Sequence, residues 1–215
     1  MDNLIQALAI NALPVIFAIT LHEAAHGYAA RHFGDSTAWQ MGRVSLNPLR
    51  HIDPVGTLLV PALILLFSGG GILFGWAKPV PVDFGRLRHP KRDMLWVAAA
   101  GPGANFLMLL GWAALFKVGL THPDGMYGPA MQAMGQAGIF INASLMLLNL
   151  LPLPPLDGGR IVFSLLPHRW AWRFAKIEPY GLIILILLLV THLLHAILLP
   201  PMQVLLTLIS NLFNI

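Results

Sequence analysis

The sequence predicts an all-α polytopic membrane protein. The expected fold is a bundle of apolar helices with a small membrane-associated β-hairpin and one segment that re-enters the membrane or returns extended. Three observations carry this expectation. The chain is 57% hydrophobic and 10% charged, with a mean hydropathy of +0.72, far from the values of a soluble domain. It divides into uncharged runs at 4–21, 54–76, 94–116, 129–151 and 180–199, each long enough to cross a hydrocarbon layer of about 30 Å. The first run ends in Leu21-His22-Glu23-Ala24-Ala25-His26-Gly27, which puts two imidazoles and a carboxylate where lipid should exclude them.

The elements follow in chain order. Residues 4–21 have the length of a signal peptide, but Asp2 stands where a basic start is needed and no cleavage site follows, so they read as a retained transmembrane helix. The helix continues to Arg31, leaving the HEAAH motif about one to two turns below the membrane surface at ~1.5 Å per residue. Residues 34–53 combine Gly, Asn-Pro and Asp-Pro breakers with alternating Met41, Val44 and Leu46, the pattern of a short β-hairpin. Run 54–76 contains Pro61 and the triplet Gly69-Gly70-Gly71, so it is either a full span or a re-entrant hairpin. The following Gly75-Trp76-Ala77-Lys78-Pro79-Val80-Pro81-Val82 must be extended, because each proline disfavours helix in its predecessor. Runs 94–116 and 129–151 form a transmembrane hairpin. Run 180–199 is the last full span, and 202–215 is too short to cross comfortably.

His22 and His26 are one helical turn apart, the spacing at which two imidazoles can bind one zinc ion. Glu23 is too close to His22 to be a natural third ligand, but it is placed to take a proton from water activated by the ion. The motif is short, yet with nine His in the chain, and with Glu23 and Glu178 its glutamates, chance supplies one HExxH only roughly a few times per thousand such sequences. Charge inside a membrane segment also costs roughly 2.5 to 3.5 kcal/mol per group on insertion scales, so such groups are functional by default. There is no cysteine, so the remaining ligands must be His or carboxylate.

A zinc ion held by two His needs a third protein ligand. Asp2, Asp35, Asp53, Asp83, Asp93 and Asp124 lie in breaker-rich or charged segments and read as solvated or capping groups; Glu178 has basic neighbours and reads as a surface ion-pair partner. Asp157 differs. It closes Asn149-Leu150-Leu151-Pro152-Leu153-Pro154-Pro155-Leu156-Asp157-Gly158-Gly159-Arg160, where prolines interrupt an apolar helix, and unwound backbone at membrane depth belongs in buried protein or beside a wet cavity. For Asp157 to reach His26, the hairpin of 94–116 and 129–151 must start and finish on one side, and 54–76 must return to its own side. All the basic residues of 27–53, 77–93 and 152–179 then share that side, leaving Lys117 opposite, which makes it the cytoplasmic side and puts the amino terminus outside. The scattered basic residues set topology and do not read as a nucleic-acid surface.

These motifs together resemble the site-2 protease family of intramembrane zinc metalloproteases. HEAAH, Gly101-Pro102-Gly103-Ala104-Asn105 and NLLPLPPLDGGR carry the resemblance, and GRVSLNPLRHIDPVGT and GWAKPVPV are similar to the small bacterial and archaeal members. The resemblance covers about 10–165 and implies His22, His26 and Asp157 as ligands of one zinc per chain, with Glu23 as catalytic base. It also implies that Asn149 contacts the substrate backbone or the developing oxyanion. The implied activity is hydrolysis of peptide bonds in or near transmembrane segments, in regulated proteolysis or clearance of signal-peptide remnants, in a prokaryotic plasma membrane. Substrates are transmembrane proteins or peptides; oligomeric state is left open. The chain reads as one metalloprotease domain, 1–215, with a core at about 10–165, accessory helices at 180–215 and no room for an appended PDZ or CBS module. A rival reading is a metal-binding transporter or scaffold without hydrolysis, to which Glu23 would contribute little.

The loops with Arg43, Asn47 and His51 are expected to border a polar channel to the site. Other residues take plainer roles. His192 and His195 suit interhelical hydrogen bonding, Asn105 suits packing or backbone satisfaction, and the Gly101 and Gly103 pair suits close helix approach. His32, His51, His89, His122 and His168 read as loop residues.

Overall fold

Helix α1 (Asp2–His32) carries the HEAAH motif in its last third. Its 31 residues exceed what a bilayer core of about 30 Å requires at ~1.5 Å rise. Ala18, His22, His26 and Ala30 recur every four residues and form one buried face, while Val15, Ile16 and Phe17 remain exposed on the outside of the bundle. The computed structural model describes residues 2–59, 63 and 77–215, so whether 54–76 crosses or re-enters lies largely outside the described residues.

Two long helices pack against α1. After a short α2 (Thr37–Gln40), α3 (Pro90–Thr121) and α4 (Gly128–Asn149) form the expected hairpin. Helix α3 begins before Met94 because Pro90 fits the first helical turn, where its missing N–H costs nothing, and Asp93 accepts from the His89 N–H at 2.7 Å. Charge in that first turn therefore belongs to the helix, whereas a reading from hydropathy starts it at the first apolar residue.

Chain order continues with α5 (Asp157–Leu165), α6 (His168–Ala175), α7 (Gly181–Val190) and α8 (Leu193–Phe213). Among the described residues, α3, α4 and α8 are long and apolar enough to cross a membrane. Leu109, Ala113, Ile139, Ala143 and Ile209 form a shared core, with Leu205, Leu206 and Phe213 of α8 packed on it.

Two expectations need correction. The last long apolar helix is α8, not 180–199: the chain breaks at His192, which takes a left-handed conformation (φ 59°), and then runs helical through Pro200 and Pro201. Prolines are tolerated inside membrane helices where neighbouring groups take up the freed carbonyls, so they were a poor stop signal here. His192 and His195 are exposed and make no interhelical hydrogen bond among the described residues.

The second correction is the β-hairpin, since no strand occurs among the described residues. Helix α2, the 3₁₀ turn Pro48–His51 and non-repetitive backbone occupy 34–53. Met41 and Leu46 stay exposed, so the alternation does not mark a half-buried sheet face. Side chains stabilise the segment instead. Arg43 Nη2 donates to the carbonyls of Lys78 and Pro79 at 3.2 Å, and Arg50 donates to Gly42 O. His51 is buried, with Nε2 2.8 Å from Ser45 O, and Asn47 accepts from Leu49 N–H at 3.0 Å.

Residues 77–83 form no helix, as the prolines require, and Asp83 is extended (φ −93°, ψ 93°). Lys78 N–H donates to His51 O at 2.8 Å, and Asp83 N–H donates to Asp35 Oδ2 at 2.8 Å. Burial pushes the Asp35 carboxyl up, but hydrogen bonds from the Thr37 hydroxyl and N–H and from Asp83 N–H, with the charge of Arg86, hold it below its ordinary value. Asp35 therefore clamps this segment to the end of α1 at neutral pH, and the clamp weakens only as the medium becomes acidic enough to protonate it.

Candidate active site

Asp157 is the first residue of α5, at the positive end of the helix dipole, where a carboxylate is favoured. Two features place it there. The prolines after Asn149 end α4, and Leu156 is extended (φ −63°, ψ 159°) before α5 begins. Gly158 then sits where a Cβ would lie 2.3 Å from the carbonyl oxygens of Leu150 and Leu151, so only glycine lets the first turn tuck under the loop.

That turn brings Asp157 to the histidine pair. Its Oδ2 lies 3.3 Å from Nε2 of His22 and 3.3 Å from Nε2 of His26, and the two Nε2 atoms are 3.1 Å apart. Donors about 2.0 to 2.1 Å from a tetrahedral zinc ion sit about 3.3 Å from one another, so the three atoms outline one face of such a site. His22 and His26 are 7% and 9% exposed.

Tautomers follow from the partners. His26 Nδ1 faces Val97 O at 2.8 Å, and a carbonyl only accepts, so Nδ1 carries the proton. His22 Nδ1 faces Asn105 Oδ1 at 2.6 Å; Asn105 Nδ2 donates to Ala18 O at 3.2 Å and to Asn142 Oδ1 at 3.0 Å, which fixes the oxygen towards His22. Both Nε2 atoms are then bare lone pairs aimed at each other and at Asp157 Oδ2, which is buried and has no hydrogen-bond donor. Three converging buried acceptors repel unless a cation lies between them, so the donor set fits zinc.

Glu23, one residue beyond His22, accepts from Val80 N–H through Oε2 at 2.7 Å. The proline-bearing segment thus holds one carboxylate oxygen. A Val80→Pro variant, which lacks that N–H, is expected to cut turnover about tenfold or more while zinc content stays unchanged, and Val80→Ala, which keeps the N–H, is expected to behave as wild type in the same cleavage assay.

Gly101 backs the site from α3. A Cβ there would lie 2.4 Å from His26 Nε2 and 2.6 Å from His22 Cε1. Gly101→Ala is therefore expected to lower zinc affinity about tenfold to a hundredfold, measured by competition with a chelator. Gly103 has nothing within 4 Å of its would-be side chain, so close approach explains Gly101 alone.

Asn149 donates Nδ2 to Leu145 O at 3.0 Å in its own helix and makes no hydrogen bond to the three ligands. Asn105 does more than pack, since it orients His22. Sequence reasoning missed Asn142, fully buried and supporting Asn105, although an asparagine within the apolar run 129–151 was a signal. It also missed Val97 O and Val80 N–H, backbone groups for which the sequence has no marker. Glu178 is the expected ion-pair partner, of Arg160, at 3.2 Å.

The family model for peptidase family M50 matches residues 118–192, the part that holds Asn149 and Asp157. The chain is similar to "Putative zinc metalloprotease YwhC" of Bacillus subtilis (strain 168), 39% identical over 84% of this chain and 80% of the relative. It is also similar to proteins named Rip2 in the same terms, from Mycolicibacterium smegmatis (31% identical, 82% of this chain, 64% of the relative) and Mycobacterium tuberculosis strain H37Rv (28%, 80% and 63%). It spans less than two thirds of those Rip2 proteins. No solved structure matches the chain. The extent of the likeness to YwhC, joined to the family match, means that the chain belongs to peptidase family M50, the site-2 protease family its motifs resemble.

Proposed function

We propose that this protein hydrolyses peptide bonds within or beside the transmembrane segments of membrane proteins, from a site facing the cytoplasm across a prokaryotic plasma membrane. It is a membrane zinc metalloprotease. The observation that carries the reading is the triangle of His22, His26 and Asp157 donors at the end of a long apolar helix, with Glu23 beside it.

Roles follow from position. Zinc, when bound, supplies a Lewis acid that polarises a carbonyl and makes water more acidic. His22, His26 and Asp157 hold it, and Asn105 and Val97 O keep the imidazoles in the coordinating tautomer. Glu23 accepts the proton of the attacking water and delivers it to the leaving amine. Asn149 contacts the substrate backbone or developing oxyanion once substrate is bound. A helical substrate hides its amides in its own hydrogen bonds, so it must unwind; in residues 77–83 the N–H groups of Lys78, Val80 and Asp83 are taken and Pro79 and Pro81 have none, so the unwound stretch pairs there by donating its own N–H groups to the segment's carbonyls. Arg43 fixes that segment by its bonds to Lys78 O and Pro79 O.

Co-expression with single-span membrane proteins, comparing wild type with Glu23→Gln and mapping product ends, tests the reading. Expected are fragments ending within or next to the transmembrane segment, in wild type only. Fragments identical in both samples, or ending far from the membrane, refute it.

A further inference from the structure

Helix α6 presents a surface that the metal site does not use. Ala171 is buried, and Phe174 and Ala175 beside it are half-buried, which fixes the face turned to the protein. At 100° per residue, Arg169, Arg173 and Lys176 then fall on the opposite face, with Trp170 on one flank and Trp172 on the other. All five are exposed. The cations lie over the indoles: Lys176 Nζ is 3.7 Å from the Trp172 ring centre, and the Arg173 guanidinium carbon is 5.2 Å from that of Trp170.

The surroundings define what such a face fits. No acidic residue occurs between Asp157 and Glu178, and Glu178 is engaged by Arg160 at 3.2 Å. Just beyond, α7 is wholly apolar and exposes Ile183, Leu187 and Val190, a surface suited to lipid tails. With α7 set among lipid tails, the cations and tryptophans of α6 would lie at headgroup depth, the level that indoles prefer.

We propose that α6 is a docking surface for anionic phospholipid headgroups, with the three cations pairing to phosphate and the two indoles seated among glycerol and upper acyl groups. This contact sets the depth of the chain in the leaflet at the end that carries Asp157. It is independent of whether the metal site hydrolyses peptides.

The test uses the full chain in bilayer nanodiscs of phosphatidylcholine containing a small, equal fraction of either brominated phosphatidylglycerol or brominated phosphatidylcholine. Tryptophan quenching is the readout. At low salt the anionic quencher is expected to exceed the neutral one by roughly twofold or more, and the excess is expected to fall as salt is added. Trp170→Phe with Trp172→Phe should remove the excess, as should joint Arg169→Gln, Arg173→Gln and Lys176→Gln. Joint Arg169→Lys and Arg173→Lys, which keeps the charge, should retain it and so separates lost charge from lost fold. Equal quenching by the two lipids in wild type, an excess that survives charge removal, or one that the charge-keeping variant loses overturns the proposal. Equal quenching by the two lipids together with a Trp170 and Trp172 emission shift on adding soluble poly-glutamate assigns the face to an acidic protein partner and overturns it too.

Discussion

Glu23→Gln is expected to lower peptide cleavage by about a hundredfold to ten-thousandfold, the usual contribution of a positioned general base, with zinc content unchanged. The amide has nearly the same shape, and its oxygen can still accept the Val80 N–H that Glu23 Oε2 accepts at 2.7 Å, so the proline-bearing segment keeps its anchor. What is lost is the ability to take a proton. None of the three converging donor atoms belongs to Glu23, so the metal site is untouched. Cleavage of a reconstituted single-span substrate, with zinc measured on the same sample, separates the two effects. A metal carrier with no hydrolytic role would show no cleavage in wild type and no change in metal transport on this substitution.

Asp157→Ala acts on the other half of the machinery. Removing the carboxylate leaves the Nε2 atoms of His22 and His26 3.1 Å apart with no third protein donor, and a two-ligand zinc site loses at least about a hundredfold in affinity. Activity should fall with metal occupancy and return in part at high added zinc. The fold should survive: Asp157 Oδ2 has no hydrogen-bond donor, so the substitution removes a buried charge without stranding a donor. Unchanged zinc content in this variant would mean that the third ligand lies elsewhere.

The sequence revealed the chemistry of this protein more fully than its shape. His22, Glu23 and His26 stood out because charge within an apolar run is costly, and Asp157 because prolines and glycines at membrane depth need a reason. The requirement that these groups meet also implied a common end for α1, the start of α3 and the end of α4, and the contacts of His26 with Val97 and Asp157 satisfy it. Hydropathy failed where local backbone geometry decides. It placed a hairpin at 34–53, where Arg50 holds irregular backbone through Gly42 O and Arg43 ties it to Lys78 O and Pro79 O, and it ended the last span at Pro200, which α8 carries in its interior. Close helix approach was expected at Gly101 and Gly103 alike, and only Gly101 shows it, because a missing side chain leaves no sign in the sequence of what fills its space.

Zinc-edge X-ray absorption on the purified wild-type protein tests the central claim most directly. The account predicts one zinc per chain with a first shell of two imidazole nitrogens and oxygen donors at about 2.0 to 2.1 Å, the oxygens coming from Asp157 and solvent. A shell containing three or more imidazoles, or none, would contradict it, because the site would then not be the one that His22, His26 and Asp157 form.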